Sequence, residues 1–453
     1  MGLRGVPPGT TEWEGKLTWG QQAFLNGLER YSQHSRYLNI VRAVDLPSLC
    51  SVERVSEVVS TILAKYDSLR TTYSLRSQGS RQLVVDHGDA DIRLLGVSGA
   101  LATVTSRVSE EMRRSPLGLS GRLPFAAAVL TLGGRPVRVL LAFSHRVVDA
   151  SSARILVGEF VRLLAGDPSD RGAGIRPRDR AATEGGEHLQ ALSDRSINSW
   201  MGHLSDTEGL FSSPRPGMSY SRSQCVQATV RLPRAAESLG VLEEEHQLAS
   251  SAMLVSLTAL TLAAVTDRRR IPLQVLSSNR FLAGTEGYVG LLAQSGPLVA
   301  DTEVGGLALR SFVDRIGRQL WRSYRAASWS PDELDSALHQ GEVCSADLAG
   351  WPTYNDVRDI APSFGESGSP SPKGPVEWMR GWPYQDGRFA IAITSSAHTL
   401  CLSVRADTLY VSPEIVCRFL DFFARNCNAV MSVHGTMETE TVRILEDARH
   451  DAP

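Results

Sequence analysis

Residues 139–150 read Val139-Leu140-Leu141-Ala142-Phe143-Ser144-His145-Arg146-Val147-Val148-Asp149-Ala150. The apolar run is of strand length and leads straight into a histidine. An aspartate follows four residues later. Ser151-Ser152 then opens a pattern that puts Ile155, Leu156, Phe160, Leu163 and Leu164 on one helical face. Strand, polar loop and helix in this order predict an α/β fold. A histidine at the end of a buried strand is held rigidly yet can face a cleft, and an imidazole titrates near neutrality, which suits proton transfer. Asp149 would orient that histidine, hold the loop or cap the helix. His87-Gly-Asp-Ala-Asp91 repeats the spacing in a polar turn, where an aspartate is a turn former.

Working outward, Phe125–Leu132 and Val137–Phe143 read as a strand pair joined at Gly133-Gly134-Arg135-Pro136. Val55–Tyr66 has helical spacing, and Gln82–Val85 and Ile92–Leu95 read as short strands. From Gly166 to Gly186 apolar periodicity stops and Gly, Pro, Asp and Arg dominate, which predicts a linker or exposed loop. Beyond it, strands are expected near Val226–Leu232, Pro272–Leu276, Phe389–Thr394 and Thr399–Arg405. A second soft region runs from Ala361 to Pro375. The organisation expected is an N-terminal lobe over 1–170, a linker over 171–190 and a C-terminal lobe over 191–453. Gln247–Thr266 carries no charge and approaches membrane-span length. Recurring Ser and Thr, and the charged Asp267-Arg-Arg-Arg that follows, make it a helix buried in a core and feeding a strand.

Composition limits the function. The 453 residues hold 47 Lys+Arg against 49 Asp+Glu, a net charge of -2, so nothing drives the whole chain toward nucleic acid. Lys16, Lys65 and Lys373 are the only lysines, leaving few candidates for a Schiff base. Cys50, Cys225, Cys344, Cys401, Cys417 and Cys427 form no CxxC pair or zinc spacing, so a reducing cytoplasm is expected and no metal site. The first sixteen residues lack an apolar signal region. GxxxxGK[ST], HExxH and GxSxG are absent, which removes the common nucleotide, zinc-protease and hydrolase-elbow readings.

Several segments, in order, resemble condensation domains of nonribosomal peptide synthesis, within the chloramphenicol-acetyltransferase-like superfamily. Leu17-Thr-Trp-Gly-Gln21-Gln22 is similar to the family's opening motif. Lys65-Tyr-Asp-Ser-Leu-Arg-Thr-Thr-Tyr73 is similar to RHExLRTxF, and Pro116-Leu-Gly-Leu to PFDL. Ser144-His145-Arg-Val-Val-Asp149-Ala150 aligns with HHxxxDG. Ser278-Asn279-Arg280 resembles the SGR element, and Tyr288-Val-Gly-Leu-Leu-Ala-Gln294-Ser-Gly-Pro-Leu298 resembles VGxFxNTLP. Tyr354-Asn355 stands where the family has a Phe-Asn pair. The matches run from about residue 17 to 412.

The resemblance implies two α/β lobes in a V-shaped pseudo-dimer with a tunnel between them. It implies a free-standing condensation enzyme that joins a carrier-protein-bound acyl or aminoacyl thioester to an amine or alcohol. His145 would be the general base or positioning residue. Asp149 would be structural, paired with Arg280 from the other lobe, because a buried carboxylate needs a partner and arginine can engage it bidentately. Ser144, Ala150, Gln294, Ser295, Tyr354 and Asn355 would line the substrates. No bound cofactor is implied; 4'-phosphopantetheine arrives on an acyl or peptidyl carrier protein acting in trans. No nucleic acid or membrane partner is implied, and a monomer is expected. Backbone amides or a side chain near the motif would stabilise the oxyanion.

Ser144 stands in place of the first motif His, Ala150 in place of Gly, and Gln294-Ser295 in place of Asn-Thr. Two other readings stand beside this one: an acyl-CoA-dependent acyltransferase of the same fold, and a non-catalytic module that recruits carrier proteins or tailoring enzymes, which Ser144 and Ala150 keep open. Trp19, Trp200, Trp382 and His398 are expected to be core or edge residues. Arg176–Arg180 and Arg268–Arg270 are expected to be solvated faces, with a carrier or phosphate site as the second reading.

Overall fold

The computed structural model describes residues 11–31, 39–74, 79–86, 88, 90–118, 122–167, 174–219, 224–303, 307–341, 348–358, 376–379, 387–396 and 398–432. His87, Cys344, Lys373, Trp382 and the soft region 361–375 lie outside them. The chain divides into two compact units. One comprises Met1–Gln190 with Ser278–Ala293, the other Ala191–Ser277 with Gln294–Pro453.

The first unit is built on β2 (Asn39–Asp45), β5 (Asp91–Gly96), β6 (Phe125–Leu132) and β7 (Arg135–Ser144), in the order β2-β7-β6-β5. The β6–β7 hairpin pairs Leu132 with Arg135, so its loop is Gly133-Gly134 alone. Both glycines have positive φ, +56° and +81°, as a two-residue primed turn requires. The expected turn was two residues longer. Arg135 and Pro136 already belong to β7, and the register shift at Leu130/Thr131 accommodates the proline.

Side chains alternate across this sheet. Ala127, Val129, Val139, Leu141 and Phe143 face α2 (Val52–Lys65) and α4 (Ala150–Leu164). Ala128, Leu130, Leu140 and Ala142 face α3 (Leu101–Arg113). Burial on both faces explains why β7 reads as a continuous apolar run rather than an alternating one. In α2, Val55, Val58, Val59, Ile62 and Leu63 form the buried stripe, and Ser51 caps the helix by accepting from the Arg54 amide at 3.1 Å. A small sheet of β1 (Thr11–Lys16), β4 (Arg81–Val85) and β3 (Thr71–Ser74) stands beside α1 (Trp19–Tyr31).

The second unit has one seven-stranded sheet. It contains β8 (Cys225–Leu232), β9 (Arg270–Ser277), β10 (Gln294–Asp301), β11 (Thr353–Asp356), β12 (Val376–Met379), β13 (Phe389–Ser395) and β14 (Leu400–Asp407), in the order β10-β9-β11-β13-β14-β8-β12. Its larger core is shared with α7 (Ala235–His246), α8 (Ser250–Thr266), α9 (Leu309–Arg325) and α11 (Pro413–Ser432). A smaller core joins α6 (Glu187–Leu204) and α10 (Pro331–Gln340) around Trp200 and Trp351. Every residue of α8 from Ala252 to Val265 is buried, as expected of a core helix, and β9 follows it. No single helix among the described residues is long and apolar enough to cross a membrane.

The stretch expected to be a linker is helical in part. Pro177–Glu184 forms α5, and α6 begins at Glu187. Apolar periodicity missed α5 because it buries polar groups against one another: Arg180 and Glu184 are buried and bonded at 3.0 Å. Arg176 and Arg178 lie 3.8 and 3.6 Å from the buried carboxylate of Asp67; Arg180 is buried while the Arg176 side chain is still 42% exposed, so this arginine group is part ion network and part solvated face. Arg268, Arg269 and Arg270 do form an exposed face, paired with Glu208, Glu303 and Asp206. His398 is exposed at the β13–β14 turn against Glu237, not in the core. Trp19 and Trp200 are core residues.

Candidate active site

Strand β7 delivers the motif. Ser144 is its last residue, hydrogen-bonded through its amide to the Pro124 carbonyl at 2.9 Å. A tight turn follows, with the Val147 and Val148 amides donating back to the Ser144 carbonyl at 3.1 and 3.2 Å. His145 sits half-buried on this turn, with Nδ1 2.9 Å from the Val148 carbonyl oxygen. A carbonyl can only accept, so in the neutral imidazole Nδ1 carries the proton and Nε2 is the basic nitrogen. Tyr73 fixes the next residue by donating its hydroxyl to the Arg146 carbonyl at 2.5 Å. Burial pushes the Tyr73 hydroxyl pKa up, so it stays a donor at neutral pH.

Asp149 is the N-cap of α4, and its Oδ1 accepts from the Ser152 amide at 2.8 Å. The same carboxylate takes Arg280 bidentately, Nη2 to Oδ1 at 2.8 Å and Nη1 to Oδ2 at 2.9 Å. The Leu292 amide completes Oδ2 at 3.1 Å. Four donors use the four acceptor positions of a carboxylate. Asp149 is 3% exposed, and the arrangement ties the start of α4 to Arg280 and Leu292. The cap reading and the ion-pair reading thus hold together.

Arg280 was expected from the opposite lobe. It belongs instead to the same unit as Asp149. The chain leaves the second unit after β9, contributes Ser278–Ala293 to the first, and returns as β10. That excursion is pinned at several points. Ser152 Oγ donates to the Gly290 carbonyl at 2.8 Å and accepts from the Gly290 amide at 2.9 Å and from Arg280 at 2.6 Å. Ser68 Oγ donates to the Val289 carbonyl at 2.5 Å. The start of α1 abuts Leu291: a Cβ on Gly20 would lie 2.4 Å from the Leu291 carbonyl oxygen. Thr18 and Gln21 form a reciprocal capping box there, amide to Oε1 at 2.8 Å and amide to Oγ1 at 3.2 Å. The Trp19 amide donates to the Glu184 carboxylate at 2.7 Å. Burial raises the Glu184 pKa to about 7, opposed by Arg180 and by the Trp19 amide.

The residues expected to touch substrate are placed unevenly. Ala150 opens α4 and is half-buried. Ser144 is buried on the α3 side of β7, where its Oγ lies 3.8 Å from the position a Cβ on Gly118 would take. Gln294, Ser295, Tyr354 and Asn355 belong to the second unit. Both ends of the buried Gln294 amide bond the Trp329 backbone, and the Ser295 carbonyl accepts from Trp329 Nε1 at 2.8 Å. These two residues therefore hold the chain before α10. Tyr354 is fully buried in the main core of its unit, because β11 alternates inward at that position. Its neighbour Asn355 is half-buried. Sequence reasoning missed the part of Ser152, whose signal was its place three residues after the cap.

Two α/β units and a histidine turn braced by a capped helix fit the chloramphenicol-acetyltransferase-like fold that the resemblance implies. The comparisons narrow this. The condensation domain family model matches residues 17–340, and the chain belongs to that family. Such domains, found in nonribosomal peptide and polyketide synthetases, form amide or ester bonds from carrier-bound substrates. Cyclosporin synthetase of Tolypocladium inflatum is 23% identical over 301 residues, which is 63% of this chain and 2% of that protein. The chain therefore spans a small part of that relative. Among solved structures, the first condensation domain of the CDA synthetase matches with a TM-score of 0.68 at 17% identity, over 95% of this chain and 99% of that one. A variant of the starter condensation domain of rhizomide synthetase, in complex with C8-CoA, matches at 0.71 with 14% identity, over 94% and 97%. At these identities the structural likeness concerns the fold.

Proposed function

We propose that this chain transfers an acyl or aminoacyl group from the phosphopantetheine thioester of a carrier protein to a small amine or alcohol, with His145 as the proton acceptor. The observation that carries the reading is the His145 turn: the hydrogen bond from Nδ1 to the Val148 carbonyl leaves Nε2 as the basic nitrogen at the end of a rigid strand. The acceptor nitrogen or oxygen attacks the thioester carbonyl while its proton passes to Nε2. The tetrahedral intermediate collapses with cleavage of the C–S bond, and the imidazolium returns the proton to the departing thiolate. An acylated acceptor and a free carrier thiol result. Asp149 and Arg280 take no proton; they fix the N-terminus of α4, and with it the loop that holds the histidine.

A second reading has acyl-CoA as donor, which the C8-CoA complex of the rhizomide relative favours. The test offers the same acyl group on a carrier protein and on coenzyme A, with a panel of amines and alcohols, and follows product by mass spectrometry. Turnover of the carrier thioester with slow use of the coenzyme A ester is expected. Equal or faster use of acyl-CoA would transfer the function to the second reading. Binding of a loaded carrier with no product from any acceptor would make the chain a recruiting module.

A further inference from the structure

We infer that Phe24 is a positioning residue for His145: its ring sets the plane of the imidazole and hence the direction in which Nε2 points. The inference rests on the reading of His145 as proton acceptor and adds a residue to it.

The hydrogen bond from Nδ1 to the Val148 carbonyl fixes one atom of the imidazole. The imidazole can still rock about its Cβ–Cγ bond within the tolerance of that hydrogen bond, and packing against the ring limits the swing of Nε2. A further contact comes from α1. The Phe24 ring centroid lies 4.8 Å from that of His145, with the planes tilted by 41°. Both side chains are half-buried, so they stack at the margin of the unit rather than in its core. Phe24 lies one helical turn beyond Gly20, on the same face of α1. That face is the one pressed on Leu291, where a Cβ on residue 20 would meet the carbonyl oxygen at 2.4 Å. Leu292 and Gly290 are in turn bonded to Asp149 and Ser152 at the start of α4. The contacts close a circuit from the histidine turn through α4, residues 290–292 and α1, back to the histidine ring. Phe24 is the member that touches the imidazole.

The contact also has a chemical consequence. When His145 takes a proton the ring becomes a cation, and a cation within about 6 Å of an aromatic centroid is attracted by its quadrupole. Phe24 therefore favours the imidazolium formed during attack, an effect that belongs to turnover rather than to substrate binding.

The experiment compares wild type with Phe24→Leu and Phe24→Tyr. An aromatic pair of this kind corresponds to about a two- to twelve-fold effect. In Phe24→Leu, kcat with the carrier thioester should fall within that range while KM for the acceptor stays unchanged, and Phe24→Tyr should restore kcat. Independently of activity, the His145 ring-proton resonance, assigned with His145→Gln, should carry a ring-current shift that Phe24→Leu abolishes and Phe24→Tyr keeps. An unmoved resonance in Phe24→Leu overturns the contact. A moved resonance with unchanged kcat overturns the positioning role. If wild type turns over no thioester yet the resonance moves, the contact stands and the proposed reaction falls.

Discussion

Replacing Asp149 by Asn tests the tie to Arg280 and Leu292 directly. The wild-type carboxylate is 3% exposed and accepts four hydrogen bonds, two of them from Arg280, whose side chain is 9% exposed. Asparagine is as good an N-cap as aspartate, so the bond from the Ser152 amide can survive. What is lost is the charge, together with one acceptor atom. The Asn NH2 group would face the Leu292 amide and Arg280 Nη1, both donors, and the guanidinium would stay buried without its carboxylate. Breaking a buried pair from one side costs about 3–5 kcal/mol. For a unit of roughly 200 residues this lowers Tm by about 6–20 °C. Arg280→Met should cost a similar amount, because it leaves the carboxylate with only two backbone donors. The double variant should lose less than the sum, with a coupling of about 1–3 kcal/mol. Urea unfolding read by hydrogen exchange on peptides covering α4 and residues 288–292 isolates this unit from the other. A loss below about 1 kcal/mol for Asp149→Asn, or strict additivity, would refute the tie.

Three further outcomes follow from the same geometry. The buried Glu184 carboxyl has a folded pKa raised from 4.5 to about 7, so the folded state holds the extra proton between those values. Stability should therefore fall as pH rises from about 4.5 to about 7, by about 3 kcal/mol in all. Subtracting the profile of Glu184→Gln should isolate this slope, and a flat difference would contradict it. Gly20→Ala should destabilise by about 1–3 kcal/mol through overpacking against Leu291. Gly27→Ala, on the same helix with nothing within 4 Å of its Cβ, should stabilise by about 0.5–1 kcal/mol, and thermal melts compare the two. Tyr73→Phe removes the donor to the Arg146 carbonyl and should cost about 0.5–1.5 kcal/mol in chemical unfolding, with a lower kcat.

The sequence read well wherever burial leaves a periodic trace. The hairpin of β6 and β7, the stripe of α2 and the uncharged α8 were legible because each buries apolar side chains in a regular pattern. Helix α5 was not, since Arg180 and Glu184 bury charge against charge and leave no apolar stripe. At the site, the strand-end histidine and the four-residue step to Asp149 were visible as residues, and the partner Arg280 followed from the resemblance. Its unit did not: no composition change marks Ser278–Ala293 as an excursion into the first unit. Gln294 bonds the Trp329 backbone and Tyr354 faces inward by strand alternation, contacts that motif matching alone does not reveal. Phe24 escaped because an aromatic on a helix looks the same whether it packs in a core or against an imidazole.

The proposed reaction turns on His145 moving the proton. The most direct measurement is a single-turnover reaction of acyl-loaded carrier protein with a competent acceptor, comparing wild type with His145→Ala and following carrier mass over time. Loss of a general base predicts a fall of at least about a hundredfold in rate with carrier binding unchanged. Similar rates in the two proteins would leave condensation standing and remove His145 from its mechanism.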